Sequence, residues 1–227
     1  MHNDDSILAA MKGSFAGIEQ QMDRYPKLKI DAITDQVGAT NQIEKTRVGA
    51  SCSRGFTIKL NVNPFAVANP KRVHDNTANN DQTHWHPYGT EANVYQFNTI
   101  HEFGHAVDWR AFVWEQDKKD GYLDIDKNNQ KRHAAIMKVL YKEYSDANDG
   151  NKPSGENELL VWIKAKKQVS AYSWERNDKG ELTGQLQDDE LLAEAWGACE
   201  FGAGRPTKVE LALHNLMWEG LKKHGLT

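Results

Sequence analysis

Thr99-Ile100-His101-Glu102-Phe103-Gly104-His105-Ala106-Val107-Asp108 is the stretch on which the reading of this chain turns. Val94, Phe97, Ile100, Gly104 and Val107 recur around it at helical spacing, so it reads as the middle of a helix from about residue 90 to about residue 115. Positions four apart lie one above the other on a helical face, and the imidazoles of His101 and His105 can therefore share one metal ion. Glu102 stands beside the first histidine, where its carboxylate can take a proton from a water that the metal activates. His-Glu-x-x-His on a helix is the pattern of zinc sites in which the glutamate is the general base. Gly104 costs a helix about 1 kcal/mol against alanine, which implies that another element comes close there.

A catalytic zinc needs a third protein ligand and one open position. The best candidate is Glu190, in Asp188-Asp189-Glu190-Leu191-Leu192-Ala193-Glu194-Ala195-Trp196. Glu190 and Glu194 again stand four apart on one face of a second helix. One carboxylate can bind the metal while the other accepts the ring N–H of a metal-bound histidine and fixes its tautomer. The competing reading is an acidic first turn that complements the helix dipole. Asp188 and Asp189 suit that reading. Glu194, deeper among Ala193, Ala195 and Trp196, does not.

Outward from these motifs, residues 6–24 read as an amphipathic helix with Ser6 as N-cap and Pro26 beyond its end. Leu8, Met11, Phe15, Ile18 and Met22 are expected on its buried face. Phe56, Ile58, Leu60 and Val62 alternate with Thr57, Lys59 and Asn61, the period of a half-buried strand over 55–63. Segments near 46–52 and Leu28 to Ile33 are expected to pair with it. An extended peptide adding to an exposed edge of this strand would lie beside Lys59 and Asn61.

Residues 64–90 read as a long loop. In it, His84-Trp85-His86 is read as packing or substrate-binding rather than as a second metal site, with His86 the substrate-binding candidate. Helices follow at about 129–146, 156–169, 188–201 and 206–224, with a small hairpin about Asn177-Asp178-Lys179-Gly180. Strands first and helices after predict an α+β fold in one domain, 1–227. Its parts are an N-terminal helix and small mixed sheet, an active-site helix and a C-terminal helical subdomain, with a cleft between 1–115 and 116–227.

Composition narrows the partners. The 28 Lys and Arg against 32 Asp and Glu leave a net charge of −4, which gives no case for nucleic acid. No apolar run reaches the length that spans a bilayer. Met1-His2-Asn3-Asp4-Asp5 lacks the features of a signal peptide, so a cytoplasmic, virion-associated or released chain is expected. Cys52 and Cys199 read as two separate buried thiols. Asp124-Ile125-Asp126 begins like a calcium loop. Asn129 and Ala135 stand where that loop needs glycine and an acid, so 126–130 reads as a solvated turn and helix cap. Lys138, Lys142, Lys164, Lys166 and Lys167 read as a solvated face, and Trp109 and Trp114 as core.

Taken together, His101-Glu102-Phe103-Gly104-His105-Ala106-Val107-Asp108, Ser170-Ala171-Tyr172 and Glu190-Leu191-Leu192-Ala193-Glu194-Ala195 resemble the catalytic domain of anthrax lethal factor-like metallopeptidases. Related zincin domains occur in phage head-associated proteins. The resemblance runs from about residue 55 to about residue 201 and leaves out the first 54 residues. It implies a zincin-like fold of the gluzincin type holding one zinc ion per chain. His101, His105 and Glu190 would be the ligands, Glu102 the base, and Glu194 and Asp108 outer partners of the ligands. Tyr172 would donate its hydroxyl to the oxyanion. The 18 positions from Tyr172 to Glu190 exceed the family's spacing, and the expected hairpin accounts for the excess as a loop insertion. The implied function is a zinc-dependent endopeptidase acting on a protein or peptide. The alternative is a catalytically silent zincin-fold assembly module of a phage or effector protein, against which the intact Glu102 argues.

Overall fold

Ile58 and Leu60 are buried on one face of a short strand, as the alternation requires. This strand, β3 (Thr57–Leu60), is the middle of three, with β1 (Ala32–Asp35) parallel to it and β2 (Ala50–Ser53) antiparallel. The computed structural model describes residues 2–28, 30–35, 50–53, 57–60, 93–112, 125–202 and 206–227. Asn61, the 64–90 loop with His84 and His86, and Trp114 lie outside the described residues.

The remaining elements are helical, apart from one hairpin. α1 spans His2–Arg24, α2 Val94–Phe112, α3 Ile125–Ala147, α4 Glu156–Ala165, α5 Asp188–Phe201 and α6 Lys208–Lys223. A 3-10 turn at Ala171–Ser173 leads into β4 (Trp174–Arg176) and β5 (Leu182–Leu186), the expected hairpin. The class is α+β, mostly helical with small sheets. Among the described residues no helix is long and apolar enough to cross a membrane.

α2 is the central element. Fourteen of its 19 residues are buried, and it packs against α1, α5, α6 and β2. A helix apolar on only one stripe does not behave this way; one enclosed on several sides does. The main core runs from Tyr25 and Leu28 through Ile100, Phe103 and Trp196 to Leu213 and Leu221. α5 stops at Gly202, whose φ of +72° is the left-handed cap that glycine takes without penalty. α6 begins with a full capping box between Thr207 and Glu210.

Several expectations are corrected. α1 starts at His2, so Ser6 is inside the helix. Its buried positions include Ala10, Ser14, Ile18 and Gln21, while Leu8, Phe15 and Met22 are exposed. The reason is proximity: a Cβ on Gly17 would lie 2.8 Å from the Gln96 carbonyl oxygen and one on Gly13 3.1 Å from the Tyr95 Cβ, so α1 turns its glycines to α2. Leu28 sits in a turn, and the first strand begins at Ala32. Residues 126–130 belong to α3, where Asn128 is buried, in place of the expected turn and cap. Finally, β3 is paired on both sides. Lys59 faces Thr34 across one ladder and Ser51 across the other, so its main chain is closed to an added strand.

Candidate metal centre

The site forms where α2 crosses α5. A Cβ on Gly104 would stand 2.9 Å from the Cα of Ala193 and 3.0 Å from both its carbonyl oxygen and the Cβ of Trp196. Only glycine admits so close a crossing, and the crossing brings the His101–His105 face against the turn of α5 that carries Glu190 and Glu194.

The distances there are those of a ligand set. Glu190 Oε2 lies 3.2 Å from His101 Nε2 and 3.6 Å from His105 Nε2. The three residues each offer a ligand atom within 4.8 Å of the other two, a group able to hold a metal ion. Ligands at about 2.0–2.1 Å from a tetrahedral zinc stand about 3.4 Å apart, and the two measured separations bracket that value. Glu190 Oε2 is buried, and among the described residues it has no well-aligned hydrogen-bond donor, only the two imidazole nitrogens at ion-pair distance. A buried carboxylate oxygen lacking a donor is costly, and a cation between it and the imidazoles would satisfy it. The residues therefore fit a metal.

The rings are held for the purpose. His101 and His105 stand edge to face with centroids 5.0 Å apart. Glu194 Oε1 is 2.7 Å from His101 Nδ1, at ion-pair distance although the N–H is angled off the straight line. A proton on Nδ1 leaves the Nε2 lone pair for a ligand. Burial works against protonation of both histidines, but the carboxylates outweigh it: Glu190 and Glu194 raise His101, and Glu190 raises His105. Burial likewise pushes Glu190 up, while the two imidazoles pull it well below the usual carboxylate range. Loading a metal must displace these protons, so affinity falls as pH falls.

Glu102 is buried, and burial raises its pKa against the pull of His101 and His105. It accepts a hydrogen bond from the backbone N–H of Cys52, on β2. Sequence reasoning missed this contact, since a main-chain donor leaves no mark in side-chain identity. Cys52 and Cys199 form no disulfide, and each is half-buried.

Tyr172 is brought to the site. Its ring centroid is 5.8 Å from that of His101, and the side chain is 40% exposed. Partial desolvation at the site, then the negative field of Glu190, Glu102, Glu194 and Asp189, raises the pKa of its hydroxyl above the usual tyrosine value. The long spacing to Glu190 is no obstacle. β4 and β5 pair back on themselves, and Gln187 N–H donates to the Ser173 carbonyl at 2.9 Å. The chain thus returns to where it left before α5 begins.

Among the described residues Asp108 bonds to no histidine ring. Arg132 of α3 donates to its Oδ2 at 2.7 Å, and its Oδ1 has no hydrogen-bond partner among the described residues. Arg132 carried no signal in the sequence because it lies in another helix, 24 residues on. Burial pushes the Asp108 pKa up to about 6 despite Arg132 and His105. A folded pKa above the unfolded one contributes stability that is complete at low pH and lost as pH rises through about 6. Asp108→Asn should therefore gain on wild type by on the order of 1–3 kcal/mol between about pH 4 and pH 7. Urea unfolding of both metal-free proteins at the two pH values checks this.

Asn61 and His86 lie outside the described residues. A cavity of about 470 Å³ between α3, α4 and the start of α6, lined by Trp162, Lys166, Gln168 and Thr207 among others, contains none of the site residues.

No family model, curated protein or solved structure matches this chain.

Proposed function

We propose that this chain is a zinc-dependent endopeptidase with a zincin-like fold and a gluzincin ligand set. The observation that carries the reading is the convergence of His101 Nε2 and His105 Nε2 on one buried Glu190 oxygen, with ligand atoms of all three residues within 4.8 Å of one another. Two imidazoles and a carboxylate form the donor set of hydrolytic zinc sites that leave one position open. Bound zinc supplies Lewis acidity, making a water nucleophilic near neutral pH and polarising the scissile carbonyl.

The chain's own groups do the rest. Glu102 takes the proton from the attacking water on its carboxylate and returns it to the leaving amine. Tyr172, kept protonated, donates its hydroxyl to the oxyanion of the tetrahedral intermediate. Glu194 holds the His101 ring and tautomer. A peptide substrate is aligned by β2 rather than by β3. Among the described strands β2 is an edge, it packs on α2, and it carries the N–H bonded to Glu102.

The test is turnover of a mixed peptide library by zinc-loaded protein. Cleavage that a chelator abolishes and added zinc restores is the expected result. Zinc-loaded protein that cleaves nothing would contradict the enzyme and leave the silent zincin module standing.

A further inference from the structure

About 15 Å along α5 from Glu190, a second buried polar cluster ties three helices together. Glu200, 3% exposed, accepts from the Tyr25 hydroxyl at 2.6 Å, lies 2.7 Å from His214 Nε2 and pairs with Arg24 at 2.8 Å. A buried carboxylate persists only when well partnered, and these partners come from α1, from the residue just past it, and from α6. One turn back along α5, Trp196 is fully buried between the same elements. Its indole N–H donates to Gln21 Oε1 at 2.8 Å. His214 stacks on it at 4.7 Å and 24°, and the Tyr25 ring lies 5.1 Å away.

The other side of Trp196 faces the metal-binding helix. Its Cβ stands 3.0 Å from where a Gly104 Cβ would be, and a Cβ on the next residue, Gly197, would lie 3.8 Å from the Cα of His101. Apolar packing restricts a helix crossing to a few angles but leaves about 15–20° of scatter. A hydrogen bond and a ring stack are directional and set the rotation of α5 about its axis. That rotation decides whether Glu190 and Glu194 meet the histidines.

We infer that Trp196 is a positioning residue of the metal centre, clamped from behind by Gln21, Tyr25 and His214, and that α1 is thereby a built-in part of the centre. The inference rests on the metal-centre reading above. It concerns residues 2–25, which carry no metal-ligand motif of their own.

The test uses Gln21→Met, which removes the acceptor of the Trp196 indole N–H, and Tyr25→Leu, which removes the ring against Trp196, in the full chain; neither touches a metal ligand. Zinc affinity is measured by competition with a chelator. The visible spectrum of the cobalt-loaded protein reports ligand geometry, and circular dichroism reports folding. Each variant should bind zinc about tenfold more weakly and shift the cobalt bands, with wild-type dichroism. Should Gln21→Met fail to fold, Tyr25→Leu, which removes the ring that lies against Trp196, decides alone. Wild-type affinity and spectrum in a variant that merely melts earlier would overturn the inference and leave the metal centre intact. Wild type that binds no metal would overturn the metal centre first, and the inference with it.

Discussion

Glu102→Gln should abolish peptide hydrolysis while zinc stays bound at the wild-type level. The substitution keeps the shape and an oxygen able to accept from the Cys52 N–H. It removes only the lone pair that takes the proton. Loss of a positioned general base costs about 10²–10⁴ in rate, roughly 3–5 kcal/mol of transition-state stabilisation. The fold should not suffer, because a neutral amide is cheaper to bury than the carboxylate whose pKa burial already raises. The check is kcat/KM on the best library peptide beside zinc content per chain. Undiminished turnover would show that another group is the base. Lost zinc would mean that Glu102 is tied to the ligands in a way the geometry does not indicate.

The second large effect belongs to Gly104, where there is no room for a side chain. Gly104→Ala gains about 1 kcal/mol of helix propensity but forces α5 back from a contact of 2.9 Å with the Ala193 backbone. Overpacking costs about 1–3 kcal/mol, so the net change is destabilising. Gly104→Val adds two methyl groups and a β-branch and should lose more, on the order of 3 kcal/mol or above. Because the displaced element carries Glu190 and Glu194, zinc affinity should fall in both variants by more than the stability loss explains. Urea unfolding with and without zinc separates the two effects. A Gly104→Ala protein more stable than wild type would contradict the crossing that builds the site.

What the sequence reveals and what it conceals divide along the range of the interactions. His101 and His105, or Glu190 and Glu194, are placed by the pitch of a single helix, so spacing alone puts each pair on one face. Gly104 announces a close neighbour because glycine is a poor choice mid-helix. The hairpin at 174–186 is legible from its turn residues.

Pairings across the chain are not written locally. β3 alternates like an edge strand, yet a parallel partner from Ala32–Asp35 closes its far side. α1 misleads for a different reason. Hydrophobic spacing favours Leu8, Phe15 and Met22 as the buried face, whereas the tight approach to α2 selects Gly13 and Gly17 by size. Glu200 did leave a trace. It is a charge between Cys199 and Phe201, well past the acidic first turn of its helix, where an unpartnered carboxylate would be costly. Its partners, Tyr25 and His214, are visible only in three dimensions.

The central claim is that His101, His105 and Glu190 together hold one metal ion. The most direct measurement is the zinc content of purified wild type beside His101→Ala and Glu190→Ala, after reconstitution and removal of excess metal. The account predicts about one zinc per chain in wild type, as a three-ligand site requires, and sharp loss in both variants. Zinc retained by Glu190→Ala would move the third ligand elsewhere, with Glu194 next in line. No zinc in wild type would contradict the metal centre altogether.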